Sequence, residues 1–484
     1  MVILLFAVLI AAAASWGFFA RGEIERGLRK LPENGSTELV SPWFLPIWFL
    51  MWSPVILWMT VRGHVNVYKA AGLLVIELLL LCVYYTLLLC VLPLLRRRFS
   101  ARACAALWVL PNEMYLLGNI YSLKTSLPLL TLTLPKQWLK WILPVWFTGF
   151  VLVLFWQVIS HFLYRNHLLR SAAPVEQIEI LRLWHSKQQQ CKFKHDIPIV
   201  VSPHTNTPLT IGLFLRTMRV VLPHTDYTEK ELSLILSHEV RHIQRRDAAV
   251  KMSIGFCTAL CWFNPFMWLT RRKVSEDLEL SCDELVLSGA DETTRLQYAN
   301  LLLNTAGSSK GYTTCLSAAA STMRYRLKNA VKPRRVLSGT LLVGLVLGML
   351  ILGMGAFSLA DRPGTVQSQI FHQTEHNRTN NIYFQGEPVA LSDARKAELT
   401  DYLASLSVRE VYLGEFHTLD TSEPMLEVSY NVEKDGRSSS TQLNLYDGYL
   451  QAYVPRTQPG RLTLLHFLVD DEINWDYIHA LLGA

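Results

Sequence analysis

Apolar residues along this chain are bunched into long runs that alternate with polar segments. A helix needs about 20 predominantly apolar residues to cross a bilayer, and five runs are about that long. The pattern predicts membrane-spanning helices at 2–20, 43–61, 71–95, 141–163 and 336–357. A sixth run at 105–121 is weaker because it contains Asn112, Glu113 and Asn119. We count it as a crossing, which gives a polytopic α-helical membrane protein.

Composition and charge support this interpretation. Hydrophobic residues make up 51% of the 484 positions and charged residues only 18%. Residues 357–484 carry nine basic and 18 acidic side chains, a balance of −9, so the remainder carries +16. Basic clusters at 26–30, 96–102, 165–170 and 332–335 flank apolar runs, and six crossings place all four on one side. Basic flanks favour the cytoplasmic side, whereas Lys136 and Lys140 on the outer side argue mildly against this topology.

These positions predict a multi-pass plasma-membrane protein with both termini outside and residues 164–335 in the cytoplasm. Because the arginines flank membrane runs, we expect no direct nucleic-acid partner. The first run contains "AAAAS", which resembles a signal-peptide cleavage region, but no basic segment precedes it. We therefore expect this helix to be retained. The apolar run at 252–269 is compatible with a buried core helix or a partly membrane-embedded one.

The acidic tail has the pattern of a small α+β domain. A polar linker at 361–381 precedes a predicted helix from Ser392 to about Leu406. Alternating segments at 425–432, 441–446 and 449–454 predict strands joined by "KDGR" and "DG" turns, and 473–482 predicts a closing helix. All eight cysteines precede this tail, so we expect no disulfide framework within it.

The stretch "LSHEVRHIQRRD" at 236–247 contains the candidate chemistry. Thr228 and Glu231 form a capping-box pattern that predicts a helix beginning there. On that helix His238 and His242 lie one turn apart on the same face, as two ligands of one metal ion must. The carboxylate of Glu239 beside them can act as the general base of a zinc peptidase. Two solvated histidines on a surface helix are the alternative.

A catalytic zinc site needs a third protein ligand. In "SEDLELSCDELVL" (275–287), Glu276, Glu279 and Asp283 fall on one helix face, as donors or as a solvated acidic face. The residues alone leave these two interpretations nearly balanced. Asp247 is compatible with tethering the first helix or with a salt bridge to Arg246 or Arg241. Strands predicted at 197–202 and 219–223 offer an open edge for an extended substrate or form a structural hairpin.

Taken together, "SHEVRHIQRRD", "CWFNPFMWLTRR" and "DLELSCDELVL" in this order resemble the BlaR/MecR family of membrane antirepressor metallopeptidases. The resemblance covers about residues 69–357. It implies Zn²⁺ held by His238, His242 and Glu279, with Glu239 as catalytic base and Asp283 orienting a ligand histidine. It also implies a mostly α, zincin-like cytoplasmic domain at 164–335 between family helices at 69–163 and 336–357. Residues 1–68 are then an N-terminal transmembrane pair, and 358–484 an extracytoplasmic sensor.

One departure from the family is large. The antibiotic-sensing members carry a penicillin-binding domain with a Ser-x-x-Lys motif, whereas "SDARK" at 392–396 is one residue too long. We therefore expect a zinc endopeptidase that responds to an unknown extracellular ligand or protein by cleaving a cytoplasmic winged-helix repressor, itself, or both. Residues 324–335 are the candidate self-cleavage region. The alternatives are a housekeeping protease of the CAAX-prenyl type and a non-catalytic receptor with a structural zinc.

Overall fold

The computed structural model is mostly helical. It describes residues 2–30, 41–62, 67–112, 130–193, 195–307, 316–331, 336–353, 357–371, 376–412, 426–434, 437–455 and 462–483. The apolar runs fold as α1 (Val2–Glu25), α2 (Phe44–Val61), α3 (Val67–Arg98), α5 (Lys136–Leu169) and α12 (Thr340–Gly353). In the described part of the chain, three stretches are long and apolar enough to cross a membrane: Leu4–Glu25, Ala70–Arg98 and Lys136–Leu169.

Two predicted crossings differ from the observed helices. Within the predicted crossing at 336–357, the apolar helix covers only Thr340–Gly353, and Phe357 belongs to a strand. In the 105–121 run, helix α4 (Ala101–Leu107) ends early and a tight buried turn follows through Asn112. Residues 113–121 lie outside the described residues. Polar residues within that run make a continuous apolar helix costly, in line with the weaker pattern there.

Helices α3 and α5 each have one end near the tail and the other end near the 164–335 region. At one end, the Tyr412 hydroxyl of the tail donates to the Leu134 carbonyl just before α5, and its ring stacks on Tyr68 of α3. At the other end, the Ser202 hydroxyl of the 164–335 region donates to the Leu168 carbonyl of α5, and Arg96 of α3 contacts Asp277. The tail and the 164–335 region therefore lie at opposite ends of α3 and α5.

Helix α1 packs against α12 through small residues. A Cβ atom added at Gly344 would lie 2.0 Å from the Ser15 hydroxyl oxygen and 2.4 Å from the Ala11 carbonyl oxygen. Ala7, Leu347 and Ile351 form a buried cluster beside this contact. Small side chains permit such close approach of apolar helices, which dispersion then stabilises.

In its described residues, the 164–335 region combines a small sheet with six α-helices. Its strands are β2 (Ala173–Pro174), β3 (Ile199–Val201), β4 (Leu209–Ile211) and β5 (Arg219–Leu222), in the order β2-β3-β5-β4. Its helices are α6 (Ile178–Gln190), α7 (Glu229–Arg245), α8 (Asp247–Leu260), α9 (Pro265–Val286), α10 (Glu292–Gly307) and α11 (Leu316–Val331). The predicted strands at 197–202 and 219–223 exist, but β3 and β5 pair in parallel, so the hairpin interpretation is wrong. The open-edge interpretation of these two strands is also wrong, because β3 and β5 are the inner strands; the edges are β2 and β4, which we did not predict.

The apolar run at 252–269 forms a hairpin of α8 and the start of α9. Helix α8 is buried against α3 and α5: Phe256 contacts Phe150, and the Trp146 indole donates to the Leu260 carbonyl. At the hairpin turn the Cys261 thiol lies 3.8 Å from the Leu78 carbonyl oxygen, whereas Phe263 and Phe266 are exposed. The buried part of the run packs in the core beside predicted membrane helices, and the membrane-embedded alternative stays a prediction. Cys257 and Cys261 pack in this core, as expected.

Sequence residues 357–484 form an α+β unit. Among its described residues, eight strands form one sheet in the order β7-β10-β14-β13-β12-β11-β8-β9. Strand β6 (Phe357–Ala360) lies outside this sheet and pairs in parallel with β1 (Leu130–Thr133). The sheet strands are β7 (Gly364–Thr365), β8 (His376–Phe384), β9 (Glu387–Pro388), β10 (Ser407–Glu410), β11 (Leu426–Lys434), β12 (Arg437–Tyr446), β13 (Tyr449–Pro455) and β14 (Leu462–Val469). Helices α13 (Asp393–Ser405) and α14 (Trp475–Leu482) pack on one face, close to their predicted bounds. The linker prediction is wrong for 376–381, which belong to β8.

Candidate metal centre

Helix α7 places the two histidines. The Thr228 hydroxyl accepts from the Glu231 amide, and the Glu231 carboxylate accepts from the Thr228 amide, which is the predicted capping box. These bonds satisfy amide groups that the first helical turn otherwise leaves unpaired. Leu232, Leu236, Val240 and Ile243 bury the opposite stripe of the helix against the β2–β5 sheet. The burial of this stripe fixes the rotation of α7, so His238 and His242 face α9.

The structure brings His238, His242 and Glu279 together. The two Nε2 atoms lie 3.0 Å apart; Oε2 of Glu279 lies 3.3 Å from Nε2 of His238, and Oε1 of Glu279 lies 3.6 Å from Nε2 of His242. A tetrahedral zinc ion with bonds of about 2.0–2.1 Å separates its ligand atoms by about 3.3–3.4 Å. The three observed separations bracket that value. This donor set therefore fits a zinc ion.

Each imidazole has a hydrogen-bond partner at Nδ1, on the side of the ring away from the common centre. Nδ1 of His242 lies 2.6 Å from the Asp247 carboxylate, and Nδ1 of His238 lies 3.0 Å from the Tyr298 hydroxyl. Tyr298 donates its own proton to Asp283 over 2.6 Å, so its oxygen is left to accept from Nδ1–H of His238. A proton on each Nδ1 leaves the Nε2 lone pairs of the neutral rings aimed at the common centre. Carboxylates behind ligand histidines set the tautomer in this manner at metal sites.

Asp283 is at the centre of this outer network. Its carboxylate accepts from Nε and Nη2 of Arg326 at 2.7 and 2.8 Å, and lies 3.5 Å from Nδ1 of His238. The expectation that Asp283 orients a ligand histidine stays a prediction, and the geometry adds that it reaches His238 chiefly through Tyr298. Arg326 belongs to α11, the helix that precedes α12. Site geometry is thus tied to the segment leading into the last apolar helix.

Charge is concentrated in this cluster. Burial disfavours the charged form of His238, but the adjacent Cys282 and Glu279 outweigh burial and raise the pKa of His238 to about 10. Burial would raise the pKa of Glu279, yet His242, His238 and Lys251 lower it well below its ordinary value. Since a metal ligand must be a neutral imidazole, cation binding here releases protons. The cation then supplies the positive charge that the Glu279 carboxylate otherwise receives from the rings.

Glu239 lies beside the cluster and is 5% exposed. Its carboxylate accepts from the Thr210 hydroxyl over 2.7 Å, which joins α7 to the edge strand β4. A cavity of about 820 Å³ opens in front of these residues between β4, α10 and α11; its lining includes Thr210, Glu239, Lys251, Tyr298, Met323 and Arg324. The cavity is large enough for several residues of an extended peptide.

Several sequence candidates lie elsewhere. Glu276 contacts Arg96 and Lys273 instead of the histidines, so it leaves the predicted common face. Asp247 contacts Arg245 at 3.2 Å in addition to His242. The outer partner Arg326 and the buried Asp277 were missed because their partners are distant in sequence.

Cys282 was also missed as a donor. It lies one turn after Glu279, and its sulfur belongs with one nitrogen of His238 and one of His242 to a group of ligand atoms within 4.8 Å of one another. The Cys282 thiol donates to the His238 carbonyl over 3.3 Å. Its i+3 spacing from Glu279 was the available signal.

Residues 129–330, which contain the whole cluster, match the BlaR1 peptidase M56 family. Residues 129–330 therefore match a peptidase M56 domain, and the chain is similar to regulatory proteins of the BlaR/MecR type. It is 23% identical over 227 residues to the regulatory protein BlaR1 of Bacillus licheniformis, which covers 44% of this chain and 37% of that protein. It is 26% identical over 168 residues to the methicillin resistance mecR1 proteins of Staphylococcus aureus and Staphylococcus epidermidis, over 34% of this chain and 28% of each. The matched part spans well under half the length of these relatives.

Proposed function

We propose that this chain is a zinc-dependent membrane endopeptidase that transmits an extracellular signal by regulated proteolysis. The carrying observation is the convergence of His238 Nε2, His242 Nε2 and the Glu279 carboxylate at tetrahedral-site spacing, with Glu239 beside them. His238, His242 and Glu279 would hold the zinc, which supplies Lewis acidity toward the scissile carbonyl and the attacking water. Helix α9, which carries Glu279, packs against the apolar helices, and this packing supports a position of the chemistry next to a membrane.

Glu239 would perform the proton transfers. Its carboxylate takes a proton from the attacking water and delivers it to the leaving amine nitrogen. Thr210 holds this carboxylate at the edge of the sheet, where β4 has no strand on its outer side in the described part of the chain. An extended substrate can add to β4 by main-chain pairing and lie across the cavity. Such main-chain pairing does not involve the side chains of the substrate. Substrate specificity would therefore come from contacts with the side chains that line the cavity.

The orientation in the membrane follows from the two ends of α3 and α5. The site end carries Arg96, Arg97 and Arg98 at the close of α3, and basic flanks favour the cytoplasm. We assign 164–335 to the cytoplasm, 358–484 to the outside, and 1–68, 69–163 and 336–357 to the membrane portion. A signal at the tail would reach the site through α3, α5 and α12. By family resemblance, the substrate would be a cytoplasmic winged-helix repressor, the chain itself, or both.

Self-cleavage within 324–335 has a direct test. Met323 and Arg324 line the cavity beside the proposed centre, so this segment is close to the reacting groups. We expect membranes that contain the full chain with a C-terminal tag to yield a tagged fragment beginning within 324–335. The Glu239→Ala variant should yield none. Identical fragment patterns on immunoblots of the two proteins would refute self-cleavage.

Asp247, which contacts Nδ1 of His242, allows a second test, this one of zinc binding. Asp247→Asn keeps the size of the side chain but removes the carboxylate that holds Nδ1 of His242 at 2.6 Å. We expect zinc affinity to fall about 10- to 100-fold, the usual effect of losing such a partner. Competition with a chromogenic chelator measures it. The exposed Asp226→Asn is the matched control, and equal affinities for the two variants would contradict the assigned role of Asp247.

A receptor with a structural zinc is the second candidate function. The observation that favours it is Cys282, because a thiolate with two imidazoles and a carboxylate completes four protein ligands and leaves no open position. Such a site would bind zinc without hydrolysing peptides.

A further inference from the structure

A second cavity, of about 410 Å³, lies outside the peptidase cleft where α3, α9 and α11 meet. Its wall has two chemically different parts. The apolar part consists of Leu89, Leu92, Pro93 and Leu269, and the polar part of Arg96, Arg97, Lys273, Tyr325 and Lys328. Among the described residues that line it, none is acidic.

The boundary between the two parts coincides with the end of the apolar stretch of α3. From Leu78 to Leu95 that helix carries no charged residue, and it then continues with three arginines. In a membrane protein this change marks the level of the lipid headgroups. Leu89 and Leu269 are therefore at the depth of acyl chains, whereas the cationic groups lie at headgroup depth.

The positive charge of this cavity is only partly compensated. Arg96 is paired with Asp277 and Glu276, and Lys273 with Glu276. No ion pair joins Arg97 or Lys328 to a carboxylate in the described ranges, and both side chains are exposed. Two cations thus flank an apolar groove without an acidic partner.

We propose that this cavity binds one anionic phospholipid from the inner leaflet. The phosphate lies between Arg97 and Lys328, and an acyl chain lies along Leu89 and Leu269. Basic pockets between membrane helices recognise acidic headgroups through this combination of charge and apolar wall. The bound lipid joins three helices, one of which, α11, also carries Arg326.

The test is a lipid titration of the full-length chain followed by native mass spectrometry in detergent. The Glu239→Gln background prevents loss of the chain by self-cleavage, and the counted lipid mass depends on neither zinc nor catalysis. Phosphatidylglycerol is the probe, phosphatidylcholine tests headgroup charge, and inorganic phosphate tests a soluble anion. Arg97→Gln/Lys328→Gln removes the two cavity cations. Arg98→Gln/Arg272→Gln, two exposed arginines near the same level but outside the cavity, is the charge-matched control.

We expect one tightly bound phosphatidylglycerol, little phosphatidylcholine, and no displacement by millimolar inorganic phosphate. The cavity variant should bind phosphatidylglycerol at least about tenfold more weakly than the control, because two charge-assisted contacts are lost. Equal weakening in both variants would show general surface attraction and overturn the proposal. So would equal binding of phosphatidylcholine, or displacement by phosphate. If the double variant fails to fold, Lys328→Gln against Arg272→Gln makes the same comparison.

Discussion

Glu239→Gln is expected to lower the rate of peptide hydrolysis by about 10²- to 10⁴-fold while zinc content stays at that of the wild type. The amide is isosteric with the carboxylate and can still contact Thr210, but it cannot accept the proton of the attacking water. Glu239 is not among the three proposed ligands, so the metal remains. The rate is measured on a fluorogenic peptide library with purified full-length protein, and bound zinc by atomic emission.

The control is Glu229→Gln, which makes the same chemical change in the exposed first turn of α7. It should hydrolyse peptides at the wild-type rate. A Glu239→Gln rate within threefold of the control would remove Glu239 from the reaction. Loss of zinc in Glu239→Gln would instead mean that this carboxylate contributes to the metal site directly.

The second large effect concerns the third ligand. Glu279→Gln is expected to reduce zinc affinity by more than about 100-fold, because it removes the charge of a ligand. That loss exceeds the largest one expected when a residue that only contacts a ligand histidine, such as Asp247, is substituted. Cys282→Ser should retain one zinc per chain and measurable hydrolysis. The comparison decides between an open His-His-Glu site and a closed site that includes the thiolate. Both variants are assayed by chelator competition and by the peptide library.

The opposite result has a clear meaning. If Cys282→Ser loses zinc, the thiolate is a ligand, and the structural-zinc receptor gains support. If both variants lose zinc while the wild type hydrolyses nothing, the four-ligand arrangement is favoured. A Glu279→Gln variant with wild-type zinc affinity would exclude Glu279 as a ligand and with it the proposed site.

Local sequence was sufficient where local interactions decide structure. The Thr228–Glu231 cap and the apolar stripe of α7 are encoded within one short segment, and the observed helix begins directly after the predicted cap residue. In the tail, α13 lies within one residue of its predicted bounds and α14 begins two residues later than predicted, each with a capping side chain in front of it. Signals of this kind are independent of the rest of the fold.

Tertiary placement was out of reach. Arg326 meets Asp283 across 43 residues of chain, and Arg96 meets Asp277 across 181. Asp277 was not among the sequence candidates, yet it is fully buried, and Arg96 and the Trp108 indole both donate to its carboxylate. Likewise β8 has a polar sequence, and it is a strand because β11 pairs along its length. Such residues acquire their roles only from partners that periodicity cannot identify.

Helix α9 connects two environments with one rigid element. Its 22 residues extend about 33 Å, from a turn among the apolar helices to the polar cluster that contains Glu279. In the membrane orientation that we propose, a bilayer that is thicker or thinner than the apolar part of this hairpin would impose a tilt on it. Since both histidines belong to α7, such a tilt would move the Glu279 carboxylate relative to both rings. Acyl-chain length would thereby be a mechanical variable of the proposed ion-binding geometry, separate from any signal received at the tail.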